Sequence, residues 1–189
     1  MTLSKAAIEA LVIRSQSGEQ QAFESLFDHF YPKLFRYIRL RVRADDADDI
    51  ASETFLKVIK KIKTYRANSF SAWIFRITHN TIIDYYRRHK PTESLTMDDT
   101  DGIDMDLLET EPGPDDQLKL IESDEAVREL IAKLPPSQQE ILELRFLEDF
   151  SNKEIAAITG KSEGNIRIMQ MRALRDLRVI LHSDEKIIE

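Results

Sequence analysis

Apolar residues recur along most of this chain at the three- and four-residue intervals of an α-helix, and no run alternates as a half-buried strand would. Phe23, Leu26, Phe27, Phe30, Leu34, Tyr37 and Ile38 predict one helix, which Pro32 is expected to kink or restart. A second opens at the acidic residues 45–49, suited to the positive end of a helix dipole, and buries Ala47, Ile50, Ala51, Thr54, Phe55, Val58 and Ile62. A third runs from about Ser71 to Arg88, with Phe70, Ile74, Ile77, Thr78, Thr81, Ile82 and Tyr85 inward. Further on, Ala126, Val127, Leu130, Ile131 and Leu134 mark a helix stopped by Pro135 and Pro136. Ser137 with Glu140 and Ser151 with Glu154 have capping-box spacing and predict two helix starts. The last helix follows Gly160, Lys161 and Ser162 and reaches about Leu181.

Residues 91–122 break the pattern. They hold Pro91, Gly102, Pro112, Gly113 and Pro114, and eleven acids against the single base Lys119. Such a stretch buries too little apolar surface to fold alone and reads as a flexible linker; a packed loop with one helical turn near residues 106–109 is the alternative. The predicted architecture is all-α, with two small helical domains at 1–90 and 123–189 and the acidic linker 91–122 between them.

The charge now makes sense. The net −7 of the 189 residues conceals −10 on the linker, which leaves +3 on the rest. Residues 60–90 hold eight Lys and Arg against the single acid Asp84. The absence of cysteine excludes a disulfide framework and suits a reducing compartment. No apolar run approaches the ~20 residues of a bilayer span, and Glu9 and Arg14 interrupt any signal-peptide core, so a cytoplasmic location without membrane insertion is expected. His29, His79, His89 and His182 are scattered, with no metal-ligand spacing, phosphate loop or nucleophile motif. No catalytic residue, cofactor, metal or small-molecule substrate is expected.

The sharpest local signal lies at residues 152–174. Counting from Asn152, Ala156 is fifth, Gly160 ninth and Ile166 fifteenth, as a helix-turn-helix requires: a small residue where helices cross, one tolerant of positive φ in the turn, and a plug between the helices. Ile155 and Ile158 complete its core face. The second helix would present Ser162, Glu163, Asn165 and Arg167 to a major groove, with Lys153, Arg172 and Arg175 placed for phosphates. A helical hairpin that binds only protein is the alternative.

Two other faces carry candidate chemistry. Opposite the buried side of the third helix lie Trp73, Arg76, His79, Asn80, Ile83, Tyr86 and Arg87; aromatic residues among cations suit unstacked bases. The preceding loop adds Lys63, Tyr65 and Arg66, which could close over a base. Packing of Trp73 and Tyr86 on neighbouring helices is the alternative. On the second helix, Asp45, Asp49, Ser52, Glu53, Leu56 and Lys60 face outward, with Leu56 as an anchor for a protein partner; a solvated charged face with one stray Leu is the alternative.

Three blocks in this order resemble the extracytoplasmic-function RNA polymerase sigma factors of the sigma-70 family, over about residues 19–90 and 123–181. DDADDIASETFLKVIKKI resembles the helix that docks on polymerase; Asp46, Asp49, Glu53 and Phe55 stand at motif positions, while Ser52 replaces a usual Gln and Ile59 a usual Trp. FSAWIFRITHNTIIDYYRRHK is similar to the minus-ten recognition and melting segment, matching at Phe70, Trp73, Ile74, Ile77, Asn80, Asp84, Arg87 and Arg88. LPPSQQEILELRFLEDFSNKEIAAITGKSEGNIRIMQMRALRDL resembles the minus-thirty-five-binding domain, with Gly164, Ile166, Arg172 and Ala173 among its matches. There Asn165 replaces a usual Thr, and Ile168 with Met169 a frequent Ser-Arg pair.

The resemblance implies a sigma factor that binds core polymerase through Asp46, Asp49, Ser52, Glu53, Phe55 and Leu56. It implies that Tyr65, Arg66, Trp73, Arg76, His79, Asn80, Ile83, Asp84, Arg87 and Arg88 take the minus-ten strand. Lys153, Ser162, Glu163, Gly164, Asn165, Arg167, Arg172 and Arg175 would take the minus-thirty-five duplex. Core polymerase, promoter DNA and an anti-sigma factor are the implied partners. The 32 residues of the linker would span roughly 30 Å as a flexible chain and more when self-repelling; they are expected to avoid DNA and to lie in the basic channel through which RNA leaves. A regulator that binds duplex DNA without polymerase is the rival reading. An enzyme is the other.

Overall fold

The structure, a computed structural model, describes residues 3–66, 68–89 and 124–185; the linker expectations for 91–122 lie outside them. Among these residues all regular structure is helical. The chain divides into two compact units, Met1–Ser94 and Leu95–Glu189.

In the first unit, α1 (Lys5–Gln16) is capped by Ser4, whose hydroxyl accepts from the amide of Ala7 at 3.2 Å. It ends at Gly18, where φ of +95° turns the chain into α2 (Gln20–Arg39). An Arg14–Glu19 ion pair ties the two ends. α2 runs uninterrupted through Pro32, so the predicted restart does not occur. Proline removes one helical amide and costs about 3 kcal/mol. The stripe Leu26, Phe30, Leu34, Tyr37 and Ile38 continues on one buried face across it, and each large side chain returns about 1.5–3 kcal/mol.

A 3-10 turn (Ala44–Asp46) leads into α3 (Ala47–Ile62), with Asp48 and Asp49 in its first turn and Lys60 and Lys61 in its last, the favourable order for the dipole. α4 (Phe70–His89) has the same cationic end, with Arg87, Arg88 and His89 in its last turn. The seven α3 residues and seven α4 residues expected inside are all buried. α1 packs on α2, and α2, α3 and α4 pack on one another. Phe30, Phe70, Phe75, Leu34, Ile38 and Ile74 fill the centre.

In the second unit, α5 (Asp124–Ile131) precedes α6 (Pro136–Leu142), which continues as a π-turn at Glu143–Leu147. The expected capping box at Ser137 is absent. Pro136 opens α6 in the first helical turn, where a missing amide costs nothing, and Glu140 is drawn into the interior at 6% exposure. α7 (Asn152–Thr159) does carry its capping box: the Glu154 amide donates to Ser151 Oγ at 3.3 Å, and the Ser151 amide to Glu154 Oε2 at 3.0 Å. α8 (Glu163–Glu185) closes the unit. Val127, Ile131, Leu134, Leu142, Ala173, Leu174 and Leu177 form one core, and Ile155, Ile158 and Ile166 are buried between α7 and α8.

Candidate functional site

The outward face of α3 keeps Asp49, Ser52 and Lys60 exposed around two apolar side chains, Leu56 at 56% and Ile59 at 50% exposure. Ile59 was not among the predicted contacts, although its position three residues past Leu56 puts it on the same face. Phe55 belongs elsewhere. It is 6% exposed, with ring centroids 4.5 Å from Phe27 and 6.0 Å from Tyr31, so it supports α3 from behind and does not present itself to a partner. Periodicity had already placed it inside; only its motif position suggested a contact.

Asp46 and Glu53 turn toward α4. The Tyr85 hydroxyl donates to Asp46 Oδ2 at 2.6 Å and pins the 3-10 turn to the helix. That contact, with burial, raises the Tyr85 pKa above its ordinary value. Arg88 donates to Glu53 Oε2 at 2.9 Å, and Lys57 lies 2.9 Å from Glu53 Oε1. Lys57 also reaches Thr81 Oγ1 at 3.1 Å and Asp84 Oδ2 at 3.3 Å. The hydrogen bond from Arg88 holds the Glu53 carboxyl below its ordinary range, with Lys57 adding and partial burial opposing.

Along α4, Arg76, Asn80 and Arg87 are exposed, and Trp73 and Ile83 half-buried, which leaves a mixed cationic and apolar surface. Trp73 lies against Tyr65 and Phe70, with centroids at 5.0 and 5.3 Å. One part of the indole is therefore packed while the rest is open. His79 faces Tyr37, its Nδ1 3.3 Å from the Tyr37 hydroxyl, and the Tyr86 hydroxyl donates to the Arg41 carbonyl. Arg41 itself lies 3.8 Å from the Tyr37 ring centroid, a basic residue of the α2–α3 connection beside this face that sequence patterning did not single out.

The loop before α4 corrects one expectation. Tyr65 is 7% exposed and cannot swing over a base as it stands; its ring packs edge-on to Phe70 at 5.3 Å and its hydroxyl donates to Glu9 at 3.4 Å. Burial first, then the Glu9 carboxylate, push its pKa upward. Arg66 is exposed, its guanidinium donating to the carbonyls of Lys63 at 3.2 Å and Tyr65 at 2.7 Å.

In the second unit Gly160 adopts φ +73° and donates its amide to the Ala156 carbonyl at 2.9 Å, ending α7 in the left-handed conformation that the turn needs. Ala156 is half-buried, and Ile166 has 0% exposure as the plug. Ser162 Oγ accepts from the Asn165 amide at 3.2 Å, which caps α8. Ser162, Glu163, Gly164 and Arg167 are exposed and Asn165 half-buried on this first turn. Arg167 donates to Glu163 at 2.8 Å, so the two project as a pair. Lys153 and Arg175 are exposed and Arg172 half-buried. Met169, 8% exposed, is a core residue, whereas Ile168 is half-buried. Among the described residues no acid–histidine cluster could hold a metal, and no helix is long and apolar enough to cross a membrane.

Comparison with known proteins gives the same division. The family model described as Sigma-70 region 2 matches residues 26–92, and Sigma-70, region 4 matches 124–177. The chain is 36% identical over 179 residues to the ECF RNA polymerase sigma factor BldN of Streptomyces coelicolor, covering 93% of this chain and 66% of that one. It is 31% identical over 185 residues to the ECF RNA polymerase sigma factor ShbA of Streptomyces griseus, covering 92% and 94%. A solved structure of CnrH in complex with the cytosolic domain of CnrY shares the fold at TM-score 0.62 and 24% identity, over 94% of this chain and 99% of that one.

Proposed function

From a chain that belongs to the extracytoplasmic-function RNA polymerase sigma factors of the sigma-70 family, we propose that it directs promoter-specific initiation through three surfaces and performs no catalysis of its own. The α3 face around Leu56 and Ile59 docks on core polymerase, where exposed apolar side chains within a polar rim provide the desolvated centre of an interface. The α4 face, with Trp73, Arg76, Asn80, Ile83 and Arg87, takes the separated minus-ten strand: the indole stacks a base while the cations hold the backbone. Capturing an unpaired base offsets the few kcal/mol that unstacking requires. The first turn of α8 enters the major groove of the minus-thirty-five element, where Arg167 suits guanine, Asn165 adenine and Glu163 cytosine.

In this reading residues 1–90 and 123–189 are the two recognition domains and 91–122 their tether. Each contact alone is weak, and polymerase raises the effective concentration of one for the other. The protein then works in the cytoplasm, at the nucleoid when polymerase carries it there. Regulation by an anti-sigma factor belongs to the same proposal; an RpoE sigma factor of Bartonella quintana, similar in fold at TM-score 0.59, is described in complex with the anti-sigma factor NepR.

The observation that supports this reading best is the pairing within one unit of an apolar–acidic face on α3 and an aromatic–basic face on α4. A stand-alone duplex-binding regulator needs neither. Run-off transcription with core polymerase on a randomised promoter library tests it: the protein should select a two-element consensus. Tight duplex binding by the protein alone, with no promoter-specific RNA in the presence of core, would establish the regulator instead.

A further inference from the structure

Helix α1 begins outside the segment that the region 2 model matches, and it holds the connection between α3 and α4 at both ends. Gln16 Nε2 donates to the carbonyls of Ile62 at 2.9 Å and Tyr65 at 3.0 Å. Ile62 is the last residue of α3, and its carbonyl, which also accepts from the Tyr65 amide at 3.1 Å as the chain leaves the helix, takes the Gln16 side chain as a second donor. Glu9 Oε1 accepts from the amide of Phe70 at 3.0 Å, the first residue of α4 and one of the orphan donors there. The same oxygen accepts from the Tyr65 hydroxyl. Glu9 and Gln16 are seven residues apart, two helical turns, so one face of α1 spans the whole connection.

The geometry points to Glu9 and Gln16 as positioning residues that fix the α3–α4 connection and thereby set base discrimination at the opened minus-ten strand. Tyr65 transmits the effect. Its carbonyl is held by Gln16 and Arg66, its hydroxyl by Glu9, and its ring forms part of the wall against which Trp73 leans, at 5.0 Å. Three anchors leave this residue one position, and Arg66, next in sequence, begins its exposed path from there. Discrimination between bases needs donors and stacking surfaces fixed within about 0.5 Å, whereas attraction for the phosphate backbone survives looser placement. Releasing the connection should therefore erode the choice of base more than the overall grip on DNA. The contacts at Glu9 need only an oxygen acceptor, so the amide of glutamine can replace the carboxylate. Gln16 donates to two carbonyls, so a carboxylate there would repel both.

The inference rests on the assignment of the α4 face to the minus-ten strand. Full-length wild type, Glu9→Ala, Gln16→Ala, Glu9→Gln and Tyr65→Phe would be assayed with core polymerase on pre-opened templates carrying each of the four bases at every minus-ten position. Affinity for core polymerase and thermal midpoints would be measured alongside. Glu9→Ala and Gln16→Ala should flatten the best-to-worst base ratio at least fivefold at one position, with affinity for core polymerase and discrimination at the minus-thirty-five element within twofold of wild type. Glu9→Gln should keep the wild-type ratio. Tyr65→Phe removes one hydroxyl from an otherwise intact side chain and should shift the ratio in the same direction by less, so a poorly folding alanine variant does not end the test. Unchanged ratios in the folded variants, or equal losses on every template that follow the loss of core binding, would overturn the positioning role. A wild-type protein that is active but indifferent to the minus-ten base would instead remove the α4 assignment.

Discussion

Arg88 Nη2 donates to Glu53 Oε2 at 2.9 Å, joining two residues that the sequence had assigned to opposite tasks, one to polymerase and one to DNA. The ion pair bridges α3 and α4, and Lys57 extends it to Asp84. α3 and α4, the helices proposed to dock on polymerase and to hold the opened strand, therefore share one charge network.

The pair gives a pH prediction with a defined sign. The Glu53 carboxyl lies below its ordinary value in the folded protein, chiefly through Arg88, so it releases its proton more readily than in the unfolded chain. Its contribution is complete above the unfolded value of about 4.3 and fades as pH falls through the lower folded value. Thermal midpoints of wild type and Glu53→Gln should differ at pH 7 and converge below about pH 4. A constant difference across that range would dissociate the network from stability.

Leu56→Asp and Ile59→Asp should weaken binding to core polymerase about tenfold each, ~1.4 kcal/mol, by fluorescence anisotropy. Both side chains are at least half exposed in the isolated protein, so thermal midpoints should be almost unaffected. Phe55→Ala should do the reverse, destabilising the unit by about 3–5 kcal/mol because a buried aromatic leaves a cavity.

Gly160→Ala isolates backbone conformation from packing. A Cβ at this position meets nothing within 4 Å, yet φ is +73°. The left-handed conformation costs a residue with a Cβ about 1–2 kcal/mol. Chemical denaturation of the C-terminal unit should register that loss, and an unchanged midpoint would mean the turn relaxes at no cost.

On promoter DNA, Arg167→Ala should lose about 1–3 kcal/mol at one base position of the upstream element and little elsewhere. Lys153→Ala should weaken binding to all sequences alike and lower the salt slope by about 1. Titrations at two salt concentrations against single-base variants separate the two effects. Equal losses across all bases for Arg167→Ala would make it a phosphate contact.

The contrast between Phe55 and Ile59 shows where sequence reading stops. Both lie in one block that resembles the polymerase-docking helix, and motif position favoured Phe55. The fold turned Phe55 onto Phe27 and left Ile59 outside, as helical periodicity alone implies. Tyr65 is similar: its place in a basic loop suggested a base contact, but Glu9, 56 residues earlier, holds its hydroxyl.

By itself the sequence determined the helices after residue 19, their apolar stripes, the glycine-ended turn and the Ile166 plug of the helix-turn-helix, but it did not announce α1. These depend on spacing along a few turns, where 3.6 residues per turn fixes which side chains share a face. Only the tertiary structure decided that Pro32 stays inside α2, that Glu53 meets Arg88, and that α1 staples the α3–α4 connection. Those outcomes depend on how helices distant in sequence rotate and approach one another to bury a shared core, which the spacing within any one helix does not specify.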